Sequence, residues 1–241
     1  MASSSTLKGF HFTITSDYAH FRDPLTLSFH STLIGPPKPT ISGILGAAIG
    51  LDEKATIELN HEIKTGLRIL RIGGFAKEIA LLKNLKTPPT MTPIMRRFVT
   101  TPEYQIFIAS TDSSQIERSR SALEGPVYPF YLGNTECLAW IKEISQVMDV
   151  KPVTRKIDLY DCVIPMPKGA KATVRTDSKE SQAQVLYPPQ TYRTVHSYKW
   201  TKRGRDIESF IRLLMFTGCK VELEKGRADA FDYSGEIVCL Y

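Results

Sequence analysis

Three stretches of the chain alternate apolar and polar positions with the period of two that marks a half-buried strand. In "GFHFTITSD" (9–17), Phe10, Phe12 and Ile14 alternate with polar neighbours; "TGLRILRIGG" (65–74) reads as a second strand; "YQIFIAS" (104–110) sets Ile106 and Ile108 against Gln105 and Phe107. The period changes from Thr40 to Leu51, where Ile41, Ile44, Leu45, Ala48 and Ile49 form one helical stripe. Pro39 suits its first position, because the missing N–H is no loss there. "SSQIERSRSALEG" (113–125) reads as a second helix, capped by Ser113 or Ser114 and stopped by Gly125. "ECLAWIKEISQVM" (136–148) fits helix or strand, and its β-branched and aromatic content favours strand. The order is then β-α-β-β-α-β, the ferredoxin-like split unit.

Beyond Lys151 the texture changes. Short strand-like pieces ("RKIDLYDCVIP", "VHSYKW", "GCKVELE", "GEIVCLY") alternate with Pro, Gly and charge, and one apolar stretch, "DIESFIRLLMF", reads as helical. The expected class is α+β: a ferredoxin-like, RRM-like domain over residues 1–150, then a smaller β-rich region over 151–241. Within the first, the second and third strands are joined not by a tight hairpin but by a long insertion, 73–101. It carries Lys77, Lys83, Lys86, Arg96 and Arg97 against Glu78 alone, and apolar residues that include Leu81, Leu82 and Ile94. A long connection of this kind is functional or disordered; the apolar content points to an extended arm that docks on something else.

Composition narrows the function classes. An apolar fraction of 42% supports a core, and a net charge of +6 suits an anionic partner without requiring one. The four cysteines, Cys137, Cys162, Cys219 and Cys239, lack metal-ligand spacing and read as reduced, buried thiols. No metal or cofactor is implied: P-loop, GxGxxG, GxSxG and HExxH motifs are missing. No secretory leader is recognisable, and the longest apolar run, "GILGAAIGL", is too short to span a bilayer. A cytoplasmic protein without membrane contact is expected.

Three blocks resemble one family. "AHFRDPLTLSFHSTLIGPPKPTISGILGAAIGL" (19–51) is similar to its aromatic–Phe–Arg strand end, followed by a Pro-Pro-x-x-Thr/Ser turn and a Gly-rich helix. "RRFVTTPEYQIFI" (96–108) resembles its return strand from a thumb, and "YPFYLGNTECLAWI" (128–141) its Leu-Gly-x-x-Glu segment. In order and spacing these cover most of residues 7 to 147 and resemble the CRISPR-associated RAMP family numbered five. The resemblance implies a ferredoxin-like RAMP domain with a β-hairpin thumb. It implies a non-catalytic subunit that caps the 5′ handle of the guide RNA (crRNA) in a type I Cascade complex. Its partners would be that RNA, the Cascade backbone subunit, the large subunit and, through the assembled complex, target DNA. One subtype of the family cuts precursor RNA with a Tyr, Lys and His set; the adjacent Lys-His pair of those nucleases does not occur here.

Candidate contacts follow. A helix N-terminus is a natural phosphate site, so Lys38, Thr40 and Ser42 at the start of the first helix are candidates, with Gly43 and Gly46 leaving room for a sugar-phosphate or a neighbouring backbone. Packing of the helix on the sheet explains the glycines equally well. His20 and His30 flank "FRDPLTLSF"; either is a satisfied structural histidine, a phosphate contact or, in the rival endoribonuclease reading, an acid or base. Arg22 pairs with Asp17 or Asp23, or binds phosphate. Lys83, Lys86, Arg96 and Arg97 in the arm are solvated charge or RNA contacts. "TYRTVHSYKWTKRGR" (191–205) has five basic residues and no acid, interleaved with aromatics. Arg193, Lys199 and Trp200 therefore suit single-stranded RNA, while a polar β-hairpin is the other reading. Leu81, Leu82 and Ile94 are the expected subunit contacts.

Overall fold

The computed structural model describes residues 7–26, 29–84, 90–154, 157–166, 173–175, 187–223 and 230–241. Its first half contains strands β1 (Leu7–Ser16), β2 (Tyr18–Ala19), β3 (Phe21–Arg22) and β4 (Thr32–Leu33), and helices α1 (Lys38–Ile49) and α2 (Glu53–Glu62). Strands β5 (Lys64–Arg71), β6 (Gly74–Asn84), β7 (Thr90–Thr100) and β8 (Glu103–Ser110) follow, then α3 (Ser113–Glu124), β9 (Phe130–Tyr131) and β10 (Leu138–Ile144). Strands β11 (Met148–Pro152), β12 (Ile157–Tyr160), β13 (Val163–Pro165) and β14 (Thr173–Arg175) come next. The chain closes with β15 (Tyr187–Thr201), β16 (Gly204–Thr217), β17 (Lys220–Leu223), β18 (Ala230–Tyr233) and β19 (Glu236–Cys239).

The central sheet has the ferredoxin-like order β10-β1-β8-β5, every neighbour antiparallel. Phe10, Phe12, Ile14, Ile106 and Ile108 point from it into a core closed by Ile41, Ile44 and Leu45 of α1 and Ile116 and Leu123 of α3. Strand β11 continues along β1 beyond β10, and β18 and β19 extend the sheet from there. A second core lies under those strands, where Phe107 and Ala109 meet Phe216, Val221 and Tyr233. Gly9 makes this crossing possible: a Cβ there would sit 2.5 Å from the carbonyl oxygen of Ile108. All four cysteines are buried. Among the described residues no helix is long and apolar enough to cross a membrane.

Three local readings change. The stretch "DIESFIRLLMF" is not helical: it lies in the 14-residue strand β16, paired with β15 from Thr217 back to the Gly204 turn. Its spacing satisfies either period, and the long partner strand decides between them. Helix α2, which the periodicity did not announce, is capped by Asp52, whose carboxylate accepts from the Ala55 N–H at 2.8 Å. The cap of α3 is Asp112, accepting from Ser114 and Gln115, rather than Ser113 or Ser114.

Helix α2 also answers what approaches the glycines of α1. A Cβ on Gly46 would lie 2.5 Å from Thr56 Oγ1, whereas one on Gly43 would meet nothing within 4 Å. Gly46 thus lets the two helices touch, and Gly43 faces open space. Gly43→Ala should stabilise the fold by about 0.5–1 kcal/mol through helix propensity. Gly46→Ala should destabilise it by about 1–3 kcal/mol, because Thr56 is held by its bond to the Asp52 carbonyl and cannot step aside freely. Thermal denaturation of the two variants checks the pair; equal effects would contradict this division.

Candidate nucleic-acid interface

Two grooves of about 440 Å³ each flank the first turn of α1. One is lined by His20, Arg22, Pro37, Thr40, Asn134, Thr194 and Tyr198 among others. It therefore collects three of the residues expected from sequence, His20, Arg22 and Thr40, from two separate segments. Arg22 is exposed, at the end of the short β3–β4 ladder that is tied to the thumb by the His30 N–H donating to Met95 O and Arg97 N–H donating to His30 O. Asn134 arrives on the turn after β9. That turn is pinned by the His20 N–H donating to Leu132 O, and by Gly133, whose φ of 97° and lack of a Cβ let it lie against the His20 carbonyl.

The other groove, on the far side of Pro39 and Tyr198, is lined by Gly43, Ala47, Glu53, Tyr128, Tyr131 and Arg205. Tyr128, Tyr131 and Asn134 were not anticipated as site residues. The signal was the run "VYPFYLGN", with three aromatic residues in a loop between a helix stop and a strand.

Several expected contacts are placed elsewhere. Ser42 is buried and donates to Asn60 Oδ1 at 2.8 Å, with Lys38 O at 3.1 Å, so its hydroxyl joins α1 to α2 rather than facing a ligand. Gly46 lies in the same helix contact. Lys38 is 6% exposed. Burial, with Lys64 nearby, pulls its ammonium down to about 8. Neighbouring His196, held down to about 4 by burial, Lys38 and His61, is neutral. Pro37 and Pro39 carry no N–H, and that of Thr40 donates to Pro37 O, so the helix start offers an anion fewer amides than a free N-terminus. Arg96 is already engaged: it bonds Glu78 and Glu136 and lies 5.3 Å from the Phe98 ring centre. Its charge is met by these two carboxylates.

His20 is buried and its Nδ1 lies 2.8 Å from the Arg97 carbonyl. A carbonyl only accepts, so Nδ1 carries the proton. Burial holds the ring below the ordinary histidine range, so at neutral pH it presents no positive charge. The His30 ring lies 6.4 Å away.

The arm is the β6–β7 hairpin, in register from Gly74↔Thr100 to Asn84↔Thr90. Arg97 stacks on Phe75 at 3.5 Å. Lys83 is exposed; Lys86 lies outside the described residues. Leu81 is 63% and Ile79 71% exposed, and Met91 and Met95, on the facing strand, are exposed too. These four share one face by register. Ile94 is half-buried, and the side chain of Leu82 lies outside the described set. The second hairpin, β15–β16, carries exposed Arg193, Lys199 and Trp200, with Arg193 4.4 Å over the Phe210 ring.

The profile of the family described as "CRISPR-associated protein (Cas_Cas5)" matches residues 10–206. No curated protein sequence matches the chain. Among solved structures, a CRISPR protein from Archaeoglobus fulgidus is 13% identical, with a TM-score of 0.58 over 96% of this chain and 98% of that one. A chain of a CRISPR RNA-guided surveillance complex is 12% identical, with a TM-score of 0.51 over 87% and 90%. A Cas protein at 19% identity and a TM-score of 0.39 is covered over 57% of its length by 53% of this chain. The two likenesses that span nearly the whole chain are in fold, and this chain's own architecture is α+β with the ferredoxin-like strand order.

Lys38 gives the interface a measurable pH signature. Its folded pKa lies below that of an unfolded lysine, so the unfolded chain holds the proton more tightly and the penalty is complete below pH 8. Stability from this group should rise between pH 8 and about 10.5. Lys38→Met should raise the melting temperature at pH 7, by up to about 3 kcal/mol of stability, and flatten that rise. Melting curves that run parallel for the two proteins across this window would contradict the buried, unpaired placement.

Proposed function

Since the chain belongs to the CRISPR-associated protein (Cas_Cas5) family, we propose that it is a non-catalytic guide-RNA-binding subunit of a type I CRISPR surveillance complex. It holds the 5′ handle of the crRNA, caps the backbone filament and contacts the large subunit, and it reaches target DNA through the assembled complex in the cytoplasm. The observation that carries this reading is the groove at the start of α1. There exposed Arg22 and half-buried Thr40 meet Asn134 and Tyr198; the β15–β16 hairpin that lines the groove also bears exposed Arg193 and Lys199, and exposed Lys83 lies on the β6–β7 hairpin. A neighbour of the same fold is a chain of a CRISPR RNA-guided surveillance complex, which supports a role in such an assembly. The apolar face of the β6–β7 hairpin, Ile79, Leu81, Met91 and Met95, supplies a docking surface for the adjacent backbone subunit.

Incubation of the purified protein with labelled repeat RNA in EDTA should give binding without cleavage. Specific cleavage would identify the metal-independent endoribonuclease instead. Arg22→Ala should weaken binding of all single-stranded sequences alike and lower the salt slope by about 0.7, the share of one phosphate contact. An unchanged slope would remove Arg22 from the RNA path. Alanine at Ile79, Leu81 and Met95 together should impair incorporation into the complex, measured by co-purification, while leaving affinity for free RNA within about twofold, since no charge is lost.

A further inference from the structure

We infer that the groove formed by Gly43, Tyr128, Tyr131, Tyr198, Glu53 and Arg205 is a stacking pocket for one unpaired nucleobase of the RNA whose phosphates pass the start of α1; this rests on the reading above and adds a site to it. The two grooves share Pro39 and Tyr198 as a common wall. A chain with its backbone beside Arg22 therefore needs to turn only one base over that wall to enter the second groove.

The second groove rejects phosphate and suits a flat, uncharged ring. Glu53 lines it, and the Arg205 guanidinium is already met by Glu53 at 3.2 Å while lying 4.7 Å over the Tyr198 ring. A phosphate would face a carboxylate and, among the described lining residues, find no free cation. Tyr128 and Tyr131 instead bring aromatic rings, the surface on which unpaired bases stack, while one face of Tyr198 is taken by Arg205. The volume of about 440 Å³ lies in the range of small-ligand sites.

The pocket is also built in advance. The Val127 and Tyr128 N–H groups donate to Ala48 and Ala47 carbonyls at 3.0 and 3.1 Å, fixing the tyrosine loop on the last turn of α1. Gly43 leaves its floor clear, since a Cβ there would meet nothing. Two polar groups that could read a base edge, the Asn60 amide and the Arg205 guanidinium, are engaged. Asn60 accepts from Ser42 and donates to the His196 carbonyl at 3.2 Å, and Arg205 is tied to Glu53. The base is held by its face, so the site tolerates different bases.

Binding of the full chain to oligouridylate of about eight nucleotides, set beside the same-length abasic oligomer, tests this. Wild type should bind the base-bearing strand about tenfold more tightly, and both should share one salt slope. Tyr128→Ala with Tyr131→Ala should erase the difference while keeping abasic binding. Gly43→Leu, which improves the helix and blocks the floor, should do the same. Equal binding of both oligomers by wild type, or a difference that survives in both variants, overturns the pocket and leaves the phosphate path standing. Loss of complex assembly in the variants with no change in the base-dependent gain assigns the pocket to a protein side chain and overturns it too. Failure of wild type to bind either oligomer overturns the RNA reading itself, and this inference with it.

Discussion

The contact between α1 and α2 orients the face on which the grooves lie. Gly46 brings the helices together at Thr56, and Ser42 joins them through Asn60, whose amide continues to the His196 carbonyl of β15. One glycine and one short polar relay thus set three elements in fixed relation. With that face of α1 committed to α2, the remaining exposed face presents Gly43 and the Pro37–Thr40 turn. The sheet beneath contributes the apolar core against which Ile41, Ile44 and Leu45 anchor the helix.

The same arrangement explains why a helix start that looks suited to anions is only part of a binding surface. Its amides are reduced by two prolines, and its lysine is turned inward, its ammonium pulled down to about 8 by burial. Charge reaches the groove from elsewhere: from Arg22 on a short ladder, with exposed Arg193 and Lys199 on the hairpin whose Thr194 and Tyr198 line it. His20 serves the scaffold, holding the Arg97 carbonyl at the foot of the thumb. Buried histidines in a cleft invite a catalytic reading, but a ring committed through Nδ1 and kept neutral by desolvation is also what a structural tie requires.

The sheet was legible because its strands are half-buried, and Phe10, Phe12 and Ile14 repeat at the period that burial on one face demands. The long insertion was legible as an arm, since no tight hairpin needs so many residues. Helix α2 was not, because it buries only Ile57, Leu59 and Asn60, too few positions to form a stripe. Strand β16 was misread because Ile207, Phe210, Ile211 and Leu214 fit a helix, and what fixes it is pairing with a strand that itself looked short. Lys83, Arg193, Lys199 and Trp200 are exposed, as a binding role needs. Arg96 could not be judged from its neighbours, since one of its two partners, Glu136, lies 40 residues away in the chain. Local pattern reports burial on one face; it does not report which distant acid meets a given base.

The central claim is that RNA runs past the start of α1. Its most direct test is photo-crosslinking in the assembled complex, with 4-thiouridine placed at successive positions of the guide and the joined peptides identified by mass spectrometry. Handle positions should crosslink to this chain within residues 20–43, 128–134 and 193–205, and spacer positions should not. Crosslinks from the spacer to these segments, or handle crosslinks confined to other subunits, would contradict the account.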